Sequence, residues 1–565
     1  MSPEELEAWQ PSQSSTQRPR YVFTPYEPAR LRKSTVEIIG GVNPTGFLFT
    51  GPDLGSSSIH QSSVNPHQSF LQSLIPSLEH IWMLVDYHEV YLLWYHCCYH
   101  GPTFRSELES VIAEQEDKSK LNITGVRLQW LALLFSIMAA SLTCTSEQRL
   151  ESWGFSKSEA GHLSIQWYKA TITCLYQGEW TSDHDMYSVQ AVTTLTMSAH
   201  SLGRSTELSV LLAAALKIAQ VLGLDRLDHN QALEDIDTTS SQDKRHSLLI
   251  REVGRKLWSQ LCMQDWMSLP FTGNYNINPA HFRTTKPSSR DHLTMEPLPT
   301  TFPTYISYGN YLFDIAKLGV RHHEANLKST TPFTKYQHVL DYDSQMRDLA
   351  TKGMPRYFHV MEPVDTLWPQ WVHWARSSLT VCFAHKIIMI HRAYIRQSFT
   401  ESAYSRTRTT CIAAAKTILN ETKKADAIDG PIIWIDKAFC IAAGIILCLD
   451  ISHRSESDPE YINHKGLVVG CIAHLRKFEN SVIATRGASL LTEILDEPHR
   501  PGFVPEKTWP NLNVSDMVGS NSNMDKSPAF TGPEYQASGD LFPAQAGFSN
   551  QFLFENLLCR DPTMT

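Results

Sequence analysis

No two cysteines in this 565-residue chain have C-x-x-C spacing. Neither a two-cysteine, two-histidine finger nor a six-cysteine binuclear zinc cluster can be built without it. The eleven cysteines are scattered, mostly inside apolar helical patterns. That suits reduced thiols in an intracellular protein better than disulfides. A basic surplus is also missing. The net charge is −9, so bulk charge gives no preference for nucleic acid. Long hydrophobic runs are absent too. The longest, residues 130–144 and 438–449, fall short of the roughly 20 residues a bilayer span needs. They read as buried core helices, and no membrane partner is expected. The first twenty residues lack the charged-then-apolar order of a secretory signal.

Catalytic signatures are equally sparse. There is no Gly-rich phosphate loop, no G-x-S-x-G elbow and no dinucleotide fingerprint. His88 and His96 are eight residues apart, whereas a metalloprotease helix needs two histidines four apart on one face. The acids of "DRLD" (Asp225 to Asp228) and "EDID" (Glu234 to Asp237) read as solvated side chains, not as a metal motif. No catalytic residue, metal ligand or cofactor is assigned.

What is present is helical periodicity. Hydrophobic residues make up 42% and aromatics 10% of the chain, enough for a substantial core. Residues 1–66 are rich in Pro, Ser, Gly and Gln, and residues 499–565 return to that composition. Between them, residues 67–498 predict an all-α, multi-helix array or bundle. Predicted helices cover 78–95, 126–144, 158–176, 186–202, 208–222, 245–269 and 305–323. Others cover 371–396, 409–424, 432–451 and 462–484, with loops at 228–243 and 271–304. Gly223 sits where a left-handed helix cap is wanted, with Leu224 folding back. "SKSE" at residues 156–159 has the spacing of a capping box.

One helix carries an anomaly. Along "VGRKLWSQLCMQDWMSLPFTG" (residues 253–273), steps of three and four give Val253, Leu257 and Leu261, then Asp265 and Ser268. An apolar stripe thus ends in a carboxylate. A buried carboxylate is tolerated only if paired or hydrogen-bonded. Asp265 is therefore expected to accept hydrogen bonds from a basic side chain or from backbone amides of a neighbouring segment. Trp258 widens the same face. Glu252 and Lys256, four apart, are expected to pair on the outer face.

Four stretches in order resemble the fungal-specific transcription factor domain, or middle homology region. An aromatic helix leads into "YHGPTF", matching a "H-x-P-T-F" turn at His100, Pro102, Thr103 and Phe104. "AQVLGLDR" matches an "A-x-x-L-G-L-x-R" helix end at Ala219, Leu222, Gly223, Leu224 and Arg226. Arg255, Lys256, Leu257, Trp258, Asp265, Ser268 and Gly273 match in part "R-R-x-L-W-W … D … S … G-R-P". "IIMIHRAYI" is similar to the "L-H-R-P" helix, with Ala393 where proline is usual. Ser259 stands for the second tryptophan, Lys256 for an arginine and "GNY" for "G-R-P".

The resemblance implies a nuclear transcriptional regulator, with Trp258, Asp265 and Arg255 in a structural or ligand-sensing role. The family's usual zinc module is missing from residues 1–66. That segment has no cysteine, and five Lys+Arg stand against six Asp+Glu. Three readings stay open: a regulator reaching DNA through a DNA-binding partner, a gene model lacking its first exon, or a relative with a changed function. The first is preferred, with a pathway-specific role that the family makes plausible, such as control of secondary metabolism. A small-molecule effector and the transcriptional machinery or a coactivator are the further partners. The alternative is an all-α enzyme or small-molecule-binding protein with a pocket in the helical core. Residues 500–565 hold seven Asp+Glu and four Lys+Arg. They end in "NQFLFENLL", where Phe552, Phe554, Leu557 and Leu558 suit a short helix docking in a coactivator groove. The same spacing suits a terminal strap against the helical body.

Overall fold

The computed structural model describes residues 66–115, 120–228, 241–425 and 429–496. Regular structure among them is helical. The helices are α1 (Pro66–Ser73), α2 (Leu78–Tyr87), α3 (Leu93–His96), α4 (Gly101–Ala113), α5 (Leu128–Thr143) and α6 (Glu147–Ser152). Next come α7 (Lys157–Gln177), α8 (Met186–Thr194), α9 (Ser205–Val221), α10 (Ser241–Thr272), α11 (Tyr305–Lys328) and α12 (Pro332–Thr351). The last are α13 (Trp371–His391), α14 (Ser405–Ala425), α15 (Trp434–Ile451), α16 (Pro459–Leu475) and α17 (Val482–Asp496). Extended pairing among the described residues is limited to isolated bridges at Ser77–Lys120 and Arg290–Pro297. No helix among them is long and apolar enough to cross a membrane.

Two apolar cores are joined by a shared wall. The first gathers α1 to α10, and the second α12 to α17. Helix α11 serves both, because its two faces each carry a three-and-four spacing. Tyr308, Tyr311, Ile315 and Leu318 enter the second core, while Phe313, Ala316 and Val320 enter the first. Helix α3 bridges in the same way. Leu93 faces the first core, and Trp94 stacks on Trp371 (6.0 Å) and edges onto Tyr308 (4.9 Å) in the second. The apolar runs at 130–144 and 438–449 lie in α5 and α15, which are buried on nearly every side.

Several local readings hold. Gly223 takes φ +77°, and the Leu224 amide returns to the Ala219 carbonyl at 2.9 Å. That is the Schellman pattern, and it drives Leu224 into full burial. Ser156 caps α7 by accepting the Glu159 amide. Others need correction. The single helix expected over 462–484 is two, α16 and α17. The polar stretch 476–481 breaks it, and Val482 donates its amide to the Ser201 carbonyl at 2.9 Å. The span 78–95 is interrupted by a π-helical turn at His88–Leu92. The spans 186–202 and 371–396 end earlier, at Thr194 and His391, and pass into 3₁₀ turns. "HGPTF" is the start of α4, with His100 as its cap. Helix α12 was not anticipated, because its sequence is mostly polar and only Val339, Tyr342, Asp343 and Met346 are buried.

Burial has an electrostatic consequence. It depresses the imidazoles of His96, His100 and His322 to about 3, with nearby cations adding to the effect at His100 and His322. His88 and His385 are also held well below the ordinary value. The unfolded chain protonates these groups near 6.5, whereas the folded one keeps them neutral. Their contribution is complete above pH about 6.5 and is lost as pH falls toward their folded values. Each costs about 1.4 kcal/mol per pH unit within that window. Urea denaturation from pH 8 to pH 4.5 should show stability falling steadily below pH 6.5. A flat profile would mean these rings are charged or solvated in the folded chain.

Candidate functional site

The sequence motifs converge on one segment, the irregular stretch from Gly273 to Thr304. A segment pressed against a folded body must find partners for its backbone amides. Here carboxylates supply them. Asp265, half-buried near the end of α10, accepts the amides of Asn276 (2.8 Å) and Ile277 (2.7 Å) and the Asn276 side-chain amide (2.8 Å). This is the expected role, filled by backbone amides. The neighbouring Trp266 indole donates to the Ile277 carbonyl at 2.8 Å.

Trp258 is almost fully buried and edges onto Phe282, with ring centres 5.6 Å apart. It is a wall of the first core. Arg255 lies at the centre of a second node. Its guanidinium donates to Glu252 at 2.6 Å and also to Asp228. Glu252 accepts the Ser288 amide (2.9 Å) and hydroxyl (2.7 Å), and Asp228 accepts the Thr285 amide at 2.6 Å. Two expectations are overturned here. Glu252 is 2% exposed and faces inward to Arg255, so it does not pair with Lys256 on the outer face. Asp228 is not a solvated acid. Burial works to raise its carboxyl, but Arg255 and the Thr285 amide outweigh that and hold it below the usual range.

The other motifs reach the same segment or its anchor helix. His100 links its Nδ1 to the Thr103 hydroxyl at 2.7 Å and its Nε2 to the His292 carbonyl at 2.6 Å. Just past the α9 cap, the Asp225 carbonyl accepts the Arg283 amide at 2.9 Å. The Thr284 hydroxyl donates to the Leu224 carbonyl at 2.7 Å. From the far core, Arg392 donates to the Pro270 carbonyl in the last turn of α10.

Ser288, and the inward roles of Asp228 and Glu252, escaped sequence reasoning. The "DRLD" acids and the periodicity of α10 were visible, but the Arg255 and Thr285 partners of Asp228 and the Ser288 partner of Glu252 lie 27 to 57 residues away. Two further nodes were also missed. Asp343 accepts the Arg347 Nε through both oxygens (3.1 and 3.0 Å), with His391 Nε2 3.6 Å away. Asp450 accepts Arg408 Nε (3.0 Å) and Arg454, and pairs with His464 Nδ1 at 2.8 Å. Phe552, Phe554, Leu557 and Leu558 lie outside the described residues.

Comparison with known proteins adds one sequence relative. The agnestins biosynthesis cluster transcription factor AgnL11 of Paecilomyces divaricatus is 23% identical over 450 residues, covering 75% of this chain. The chain spans 62% of that protein's length. It is similar to a transcription factor. No family model matches. Among solved structures, the K. lactis CBF3 core is similar at a TM-score of 0.47 and 11% identity, over 82% of this chain and 88% of that one.

Two outcomes follow. Trp258→Ala should cost about 3–5 kcal/mol of stability, the usual range for a buried aromatic truncated to alanine, read by chemical denaturation. Asp265→Ala should cost about 1–3 kcal/mol, because the buried Ile277 amide loses its acceptor. It should also speed proteolysis within 273–304. Unchanged cleavage there would show that Asp265 does not hold the segment.

Proposed function

We propose that this chain is a transcriptional regulator of fungal type, built on a helical regulatory domain spanning residues 67–498. The observation that carries this reading is the likeness to a biosynthesis cluster transcription factor over 75% of the chain. The arrangement of the motifs fits it, since these stretches anchor the 273–304 segment through fixed hydrogen bonds. Their acids are occupied by fixed arginine and amide donors, which suits a scaffold whose shape is read by partners. The reading is thus of a non-enzymatic protein acting in the nucleus. It is pathway-specific and controls a secondary-metabolite gene cluster.

These 565 residues contain no zinc-cluster spacing, and residues 1–66 are slightly acidic. On the proposed reading, the chain reaches DNA through a DNA-binding partner. Deletion of the gene should abolish transcription of its target cluster, and chromatin immunoprecipitation should place the protein at those promoters. Purified alone, it should not shift promoter fragments, and a shift should appear only when the partner is added. Specific nanomolar binding by the isolated chain at physiological salt would overturn the partner-dependent reading.

The region 499–565 is proposed as an activation segment, on its acidic-hydrophobic composition. Fused to an unrelated DNA-binding domain, residues 500–565 should drive a reporter. Replacing Phe552, Phe554, Leu557 and Leu558 with alanine should silence it. A silent fusion, or one indifferent to those changes, assigns the hydrophobes another role.

A further inference from the structure

Between α12, α13 and α14 lies a groove of about 310 Å³, at the lower end of the roughly 300–1,000 Å³ typical of small-molecule sites. Its lining is largely apolar and includes Met354, Phe358, Phe383, Ile387, Ala413 and Ala414. Val360, at the lip, is 58% exposed, and Met361 beside it is 91% exposed. Polar groups on the floor are largely spent. The Thr380 and Thr417 hydroxyls donate to carbonyls of their own helices.

One end of the groove differs. Arg347 lines it, and Arg406 lies one turn before Thr410 on the α14 face that forms the wall. Both guanidinium groups approach the same carboxylate, Asp343. Arg347 binds it through Nε alone, so its terminal amino groups make no hydrogen bond among the described residues. Arg406 comes no nearer than 3.9 Å and is 65% exposed. Two cations and one buried acid leave a net positive charge, with several donors unspent. Of the acids on the surrounding elements, Asp348 is paired to Lys352, Glu362 to Arg356 and Glu460 to Lys416.

We propose that this groove binds an amphipathic organic anion as an effector: a carboxylate seated between Arg347 and Arg406, with an apolar or aromatic body along Phe383, Ile387 and Phe358. A planar carboxylate matches the guanidinium fork. Both guanidinium groups are more than half exposed, so the charge pairing fixes orientation while the apolar walls supply burial. Calling the ligand an effector rests on the regulatory reading above, whereas its binding does not.

Calorimetric titration of the full chain with decanoate, and with uncharged decanol, tests the site. Decanoate should bind one to one, and decanol at least tenfold more weakly. Arg406→Gln removes an exposed cation with no hydrogen bond to lose, and should weaken decanoate about tenfold. Ala413→Trp fills the groove from an exposed position and should abolish binding, with thermal stability unchanged in both variants. Decanoate binding that either variant leaves intact, equal binding of decanol, or no saturable binding would overturn the proposal. So would a peptide spanning residues 549–560 that displaces decanoate at lower concentration, since the groove would then be a peptide dock. Decanoate binding by a chain whose gene deletion leaves target-cluster transcription unchanged would sink the regulatory reading and leave the site standing.

Discussion

The fold depends on one constraint: the backbone amides of the Gly273–Thr304 segment have to be satisfied where no sheet or helix can do it. Asp265, Glu252 and Asp228 accept them, and the Arg255 guanidinium neutralises two of those acids. The geometry is reciprocal. The carboxylates are tolerable inside the wall because the segment donates to them, and the segment lies flat because they accept. Removing either side leaves the other buried and unpaired, which is more costly than never having built the pair. This explains why an acid follows Val253, Leu257 and Leu261 on α10. The stripe packs the first core, and the acid then begins the strap that covers it.

A second construction recurs in the far core. Asp343 and Asp450 are both fully buried, and each is met by an arginine four residues on, Arg347 and Arg454. Each also faces a buried histidine from a neighbouring helix, His391 and His464. The start of α14 serves both nodes. Arg406 turns toward Asp343 and Arg408 toward Asp450, while Thr407 between them meets His391 Nδ1 at 2.9 Å. Alternate residues on a helix diverge by about 200°, so a short "RTR" run can point its arginines to different neighbours. The gain in net stability from such buried ion pairs is small. Their effect here is register, because α12, α14, α15 and α16 cannot slide past one another without exposing an unpaired acid.

Much of this was legible from periodicity. The α9 cap was readable because Gly-Leu after an apolar run has one good geometry. Asp265 was readable because an acid on a stripe demands a partner. The partner's identity was not, for backbone amides carry no mark in the sequence. Glu252 illustrates the limit. Four residues before Lys256, it fits an exposed helix pair by spacing alone. Only the position of Arg255 and of Ser288, 36 residues on, turns it inward. Helix α12 stayed hidden for the opposite reason. It lies on the rim of the second core and needs few apolar residues, so its stripe is too thin to stand out.

The nodes and the groove differ in what their charges are free to do. Arg255 and the Thr285 amide at Asp228, His391 and Arg347 at Asp343, and Arg454 and Arg408 at Asp450 overcome burial and hold these carboxyls below their ordinary range. Near neutral pH such acids neither take up nor release protons, so they serve position and not proton transfer. The buried histidines at 88, 96 and 100 are likewise held neutral. Arg347 and Arg406 stand apart. They share the single acid Asp343, lie at an apolar groove, and retain donors that no described group uses. A scaffold whose internal charges are committed to register can respond to a small molecule only where commitment is incomplete. In the second core, the groove end at Asp343 meets that condition. An anion arriving there would meet the terminal amino groups of Arg347 and the guanidinium of Arg406 while Arg347 Nε stays on Asp343.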